Sequence, residues 1–405
     1  FGGSLVAGIV IALIAMILDR ITSGLAKNSV TYKPREKSFL KRNKFWFLAI
    51  TGVLFFYIMS FIFPILNQWP ESYFISPAKF ISNGLDVFIL NFGTQIDYLK
   101  QVAFFFIMLP VKIGLQLSVS PYTWGFELTP FLITAYFIIM MLFASWCFIK
   151  FSKDAAVGVV LFSIFIYFGL TNMPWLPLIF IYGLIGYRIG GFKLSLTIIA
   201  SFMFITFTGV LPQALLSIYL CGIAVIISFI LGASLGIWAA HNDKVSAFMR
   251  PINDTMQTMP SFVILIPFVM FFGIGEFTAL LAIIAYAFVP AMRYTEHGLR
   301  NLPETVIEAA RMIGCSQAQL LWKVKIPLAM PVIMLGLNQT IMFGLAMLVI
   351  AALVGTTGLG QLIYIGLSKA DFGTGMISGV SIALIAIIFD RTTQAWRIKL
   401  EKKTQ

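Results

Sequence analysis

Apolar residues fall in long, almost unbroken runs separated by short polar clusters. A helix that crosses a bilayer needs roughly 20 such residues. Runs of this kind cover 1–18, 45–66, 129–149, 155–170, 174–187, 194–211, 214–240, 259–275, 277–292, 329–354 and 376–389. Backbone groups in lipid must be satisfied within their own segment, so each run predicts a helix and the whole predicts an all-α, polytopic membrane protein. The stretch 101–119 is apolar as well, but Pro110 and Lys112 interrupt its middle. It reads as a half-buried or interfacial helix.

Composition agrees with lipid as the solvent. The 405 residues are 60% hydrophobic and 11% charged, with 40 Phe and a mean hydropathy of +0.95, whereas a soluble domain is roughly 25% charged. The net charge of +12 would suit nucleic acid, but its placement argues for topology instead. If 101–119 does not cross, all of the 28 lysines and arginines except Lys79, Lys100, Lys112 and Lys369 fall on one side. That is the cytoplasmic side by the positive-inside rule, and the C-terminus lies there too. Cys147 and Cys221 sit in apolar runs and Cys315 in a cytoplasmic loop, with no disulfide or metal-ligand spacing. His241 and His297 have no Cys or carboxylate at ligand spacing. No nucleophile–base pair suggests an enzyme, and no cofactor is implied.

The first helix repeats near the end of the chain. Residues 1–22 align without gaps onto 372–393, matching Phe1 to Phe372, Gly8 to Gly379, Asp19 to Asp390, Arg20 to Arg391 and Thr22 to Thr393. Leu and Ile recur by chance in any two apolar helices, but an Asp-Arg at the membrane exit does not. A repeat of this length points to two homologous units in tandem. Residues 1–25 are then the last helix of a preceding unit. Residues 26–44 are a basic cytoplasmic linker, 45–210 an accessory membrane region with an external loop, 211–396 the core of a second unit, and 397–405 a cytoplasmic tail. Because the chain opens at Phe1 inside an apolar run, a longer protein is expected upstream.

The most informative segment is the cytoplasmic loop 301–327, NLPETVIEAARMIGCSQAQLLWKVKIP. It predicts two short helices. Asn301 can cap the first, with Pro303 in the first turn and Glu304 at the capping-box position. Gly314 can end it in a left-handed conformation. Ser316 and Gln319 form a second capping box, and Pro327 is expected to stop the second helix. Two capped helices hinged at a glycine make a rigid knob.

This loop resembles the coupling loop of ATP-binding-cassette (ABC) importer permeases. That pattern is Glu-Ala-Ala, three residues, Gly, nine residues, then Ile-x-Leu-Pro. Glu308, Ala309, Ala310 and Gly314 match it in spacing, and Val324, Ile326 and Pro327 fill its tail conservatively. Further stretches, 254–262 (DTMQTMPSF), 272–275 (FGIG), 328–331 (LAMP), 336–342 (GLNQTIM) and 358–361 (GLGQ), are similar to the glycine betaine/proline betaine/choline importer permeases of the bacterial inner membrane. The resemblance runs from about 215 to 396. It implies a type I ABC importer transmembrane core, here with extra N-terminal spans. It also implies that Glu308, Ala309, Ala310, Gly314, Ser316, Gln319 and Pro327 seat in a cytoplasmic ATPase subunit. The Gly-rich external loop, at Gly358, Gly360 and Gln361, would meet an extracytoplasmic solute-binding protein. No phosphate-binding Gly-x-x-x-x-Gly-Lys-[Ser/Thr] motif occurs in the chain, so the ATPase is expected on a separate polypeptide.

Polar groups inside a bilayer face a cavity or another helix. Gln257, Phe262, Asn338, Gln339 and Thr340 are therefore candidate lining for a substrate route, although the amides serve equally well as helix–helix glue. The core helices hold no unpaired acid or base at mid-membrane, which suits a compact cation such as a betaine. The alternative class is a secondary transporter or channel without an ATPase, in which midplane ionisable residues and broken helices are common. Genes for an ATPase and a binding protein beside this one would separate the two.

Overall fold

A computed structural model describes residues 2–29, 44–63, 77–116, 129–150, 153–168 and 175–404. Every regular element among them is helical. The chain forms two compact units, Phe1–Val87 and Phe88–Gln405. The first holds α1 (Gly2–Ser29), α2 (Lys44–Ile62) and the start of α3 (Pro77–Ala103). Most of the basic linker, residues 30–43, lies outside the described residues, as do Phe1 and the end of the second apolar run.

In the second unit α3 continues through a π-helical turn, Phe104–Met108, into α4 (Leu109–Gln116). A second π-helical segment, Leu320–Lys325, precedes Ile326. Each lies directly before an X-Pro step, at Pro110 and at Pro327. A proline has no N–H for the carbonyl four residues back, and its ring presses on that carbonyl. Widening the preceding turn by one residue relieves the clash and keeps the helix going.

Next come α5 (Pro130–Lys150) and α6 (Lys153–Phe168). They are pinned where the Tyr136 hydroxyl donates to the Ser163 carbonyl at 3.0 Å. The helix α7 (Trp175–Phe207) is a hairpin. Gly191 leaves helical geometry at φ 78°, ψ −167°. Its two arms lie side by side, with the Tyr182 and Phe202 rings stacked at 4.6 Å and Ser195 bonded to the Gly183 carbonyl at 2.8 Å. In one straight helix those rings would stand about 30 Å apart. Residues 175–187 and 194–207 of the two apolar runs thus occupy the two arms. Lys399 donates to the Arg188 carbonyl at 2.5 Å, so the turn lies at the same end as the basic tail.

The remaining elements are α8 (Leu211–His241), α9 (Asp243–Thr258), α10 (Ser261–Phe272), α11 (Glu276–Arg300), α12 (Glu304–Met312), α13 (Gln317–Gln319), α14 (Ile326–Ala351), α15 (Leu359–Ser368) and α16 (Phe372–Thr404). The densest core lies among α8, α11 and α14, where Ala224, Ala282, Ile283, Met347 and Leu348 are buried. Gly232 and Gly236 let α8 press onto α11. A Cβ on Gly232 would stand 2.7 Å from that of Ala291, and one on Gly236 would stand 2.8 Å from that of Thr295. Small residues at this spacing are how membrane helices approach closely.

Among the described residues, six helical segments are long and apolar enough to cross a membrane when the α7 hairpin is counted once, or seven if α9 and α10, bent by 104°, are taken as one span. Alone, α10 has 12 residues, about 18 Å of rise against a hydrocarbon core of about 30 Å. The run 259–275 therefore does not cross as a single straight helix of its own. Polytopic, all-helical architecture stands as the hydropathy pattern predicts.

Candidate functional site

The loop between α11 and α14 is built as two helices hinged at Gly314. Its φ of +85° is one that a side chain with a Cβ resists. The Ser316 hydroxyl accepts from the Gln319 amide, and the Gln319 side chain accepts from the Ser316 amide, completing the predicted capping box. Two local expectations are corrected. Asn301 does not cap α12. It closes α11, donating through Nδ2 to the His297 carbonyl at 3.0 Å, and Pro303 holds the N-cap position of α12. Nor does Pro327 stop a helix, because the π-helical segment carries the chain straight from Gln319 into α14. The second arm of the loop and a core helix are consequently one rod, Gln317–Val354.

Glu308, Ala309, Gly314, Ser316 and Gln319 are exposed, and Ala310 is buried. Sequence reasoning missed the apolar tip. Met312 is 89% exposed, Ile313 83% and Trp322 65%. Met312 and Ile313 on the loop, with Trp322 at the start of the rod, are three large apolar side chains left uncovered beside polar neighbours, a pattern that suits a partner surface. Lys325 Nζ lies 3.3 Å from His241 Nε2, tying the rod to the end of α8.

The route candidates separate. Asn338 is buried, donating to Asp390 Oδ1 at 2.8 Å and accepting from the Thr393 hydroxyl at 2.7 Å. Gln394 bonds both Asp390 oxygens, at 2.7 and 2.8 Å. Thr340 is buried and bonds back to the Gly336 carbonyl at 2.8 Å. Both are spent on helix contacts, while Gln339 is half-buried. Phe262 is exposed, and so is Gln257, which accepts from Arg293 Nη1 at 2.6 Å. Arg293 also pairs with Asp254. Gln257 belongs to a polar cavity between α9 and α11.

The comparisons with known proteins bear on this arrangement. Residues 232–396 match the family model described as "Binding-protein-dependent transport system inner membrane component". The glycine betaine transport system permease protein OpuAB of Bacillus subtilis is 37% identical over 63% of this chain and 90% of its own length. The chain belongs to the binding-protein-dependent, ABC importer permease family. Within this permease family, ProW of Escherichia coli, a glycine betaine/proline betaine transport system permease protein, is 40% identical over 56% of this chain and 64% of its own. The trimethylamine N-oxide permease TmoV of Pelagibacter ubique is 32% identical over 99% of this chain and 49% of its own. The chain thus spans about half to two thirds of the length of these last two relatives.

At the opposite end of the permease, the Gly-rich loop is anchored from beneath. Gly358 and Gly360 are buried, and the Leu359 amide donates to the Ser217 hydroxyl at 2.8 Å. Gly355, Thr357 and Gln361 are the exposed members. Thr357 donates to Glu276 Oε1 at 3.0 Å, and Lys112 Nζ meets the same oxygen at 2.6 Å. One carboxylate on α11 therefore joins α4 to the Gly-rich loop. A lone lysine in an apolar stretch was the only sequence signal for it.

Proposed function

We propose that this chain is the transmembrane permease subunit of an importer for glycine betaine, proline betaine or a related trimethylated osmolyte, driven by a separate ATPase and fed by a solute-binding protein. The observation that carries the reading is the coupling loop: a glycine-hinged, capped knob whose apolar tip lies uncovered and whose second arm is continuous with α14. Motion of a partner seated on that tip passes along one rod into the core. Gly355, Thr357 and Gln361 offer the external surface for the binding protein, and Gln257, Phe262 and Gln339 are the positions left open to a route.

The relative that matches along 99% of the chain, accessory region included, is a trimethylamine N-oxide permease. This favours a second reading of the cargo as trimethylamine N-oxide. Uptake of labelled glycine betaine in cells carrying the full operon, competed separately by trimethylamine N-oxide, proline betaine and choline, ranks the candidates. Failure of all of them to compete would sink the osmolyte reading.

We also read the repeat of α1 in α16 as the mark of a tandem permease, with a second such coupling loop upstream. The 49% coverage of a relative matched along nearly all of this chain supports it. An upstream region without a Glu-Ala-Ala…Gly loop in the complete gene would refute it.

A further inference from the structure

Between α9 and α11, at the end of the molecule where the coupling loop begins, lies a cavity of about 660 Å³. Arg250, Asn253, Asp254 and Gln257 all line it. Their spacing of i, i+3, i+4 and i+7 puts them on one face of α9. From α11 come Arg293, Tyr294 and Glu296.

Most of these charges are already engaged. Arg293 holds Asp254 and Gln257. Arg300, at the rim, holds Asp243 at 2.8 Å and Glu296 at 3.0 Å. Two groups are left over. The Arg250 guanidinium has no partner among the described residues. Asn253 is 2% exposed. Its Nδ2 reaches the Met292 sulfur at 3.4 Å, while its Oδ1 is buried without a hydrogen-bond partner among the described residues. A buried amide oxygen in that state is costly unless something completes it.

We propose that this cavity is a subsite for small zwitterions in which a methylated cationic nitrogen stands beside an anionic oxygen. Arg250 takes the anionic oxygen. The Asp254 carboxylate and the Tyr294 ring face the cation. A simple cation would meet three guanidinium groups and a simple anion two carboxylates, so neither is favoured. Glycine betaine and trimethylamine N-oxide share the zwitterionic pattern, and choline lacks the anionic oxygen. The inference rests on the osmolyte reading above and adds to it where the inner end of the route selects its cargo.

The test uses the complete transporter, ATPase included, in lipid nanodiscs without the binding protein. Binding of labelled glycine betaine is counted per folded particle. The expected result is saturable binding that trimethylamine N-oxide displaces and choline does not. Arg250→Gln is expected to weaken it by about 10-fold or more, the scale of one lost hydrogen bond to a charged group, with Arg250→Lys recovering part. Because Arg250 is exposed, neither change disturbs the core. Equal displacement by choline, or unchanged binding in Arg250→Gln, would overturn the proposal. Absence of saturable binding while cells still take up the osmolytes would overturn it alone. Absence of cellular uptake of both osmolytes would overturn the cargo reading and the subsite together.

Discussion

Replacing Asn338 by Leu removes the clasp between the rod Gln317–Val354 and the last helix. Asn338 lies in α14, and its amide joins Asp390 and Thr393 of α16. In soluble proteins a hydrogen bond to a charged group contributes roughly 1.5–3 kcal/mol. Between membrane helices, double-mutant cycles average about 0.6 kcal/mol and reach about 1.7. The surroundings favour the lower scale. Gln394 still holds both Asp390 oxygens at 2.7 and 2.8 Å, so the carboxylate is not stranded. Thr393 keeps its own bond to the Phe389 carbonyl at 2.8 Å. Asn338→Leu should therefore cost about 1–2 kcal/mol. Its coupling to Asp390→Leu in a double-mutant cycle should be about 1 kcal/mol. The assay is reversible unfolding of the reconstituted permease, paired with ATP consumed per osmolyte transported. If the clasp relays motion from α14 to α16, that ratio rises several-fold in Asn338→Leu while KM for uptake holds. Additivity within about 0.3 kcal/mol, with a normal ATP ratio, would refute the reasoning.

Three further outcomes follow from the geometry. Gly314→Val should cost about 1–2 kcal/mol at the left-handed hinge and lower substrate-stimulated ATP hydrolysis about tenfold, with membrane insertion unchanged in immunoblots of the membrane fraction. Gln257→Lys should abolish uptake per folded protein, since an ammonium lining the route would repel the osmolyte's cationic group, whereas Gln257→Leu should weaken it less; equal loss of folded protein with normal transport per molecule would assign Gln257 to packing. Lys112→Met should destabilise the protein by about 1–3 kcal/mol by leaving the half-buried Glu276 carboxylate without its cation; adding Glu276→Gln should restore much of the thermal midpoint.

Elements set by local chemistry were legible in the sequence. Apolar runs marked the apolar helices, even within α7, where the pair Gly190-Gly191 between Arg188 and Lys193 breaks the apolar pattern at the turn of the hairpin, but they missed the more polar helices α3, over 77–100, and α9. The Gly314 hinge and the Ser316–Gln319 box depend on residues a few positions apart, and both form. Asn301 failed because one amide can cap the end of the preceding helix as readily as the start of the next. Pro327 failed because a π-helical turn offers a third course besides stopping and kinking. Neither the Asn338–Asp390 clasp, 52 residues apart, nor the Lys112–Glu276 pair, 164 apart, has any local signature. The exposed tip was hidden for another reason: in sequence, Met312 and Ile313 look like ordinary apolar residues of an amphipathic helix.

The central claim is that a separate ATPase drives this permease through the coupling loop. The direct measurement is uptake of labelled glycine betaine or trimethylamine N-oxide into liposomes holding the full-length permease, with ATPase, binding protein and ATP added or withheld one at a time and all ion gradients collapsed. The account predicts accumulation against the substrate gradient only when all three are present, and its loss when Met312 and Ile313 at the loop tip are replaced by Asp. Accumulation that needs an imposed ion gradient and proceeds without the ATPase would contradict it.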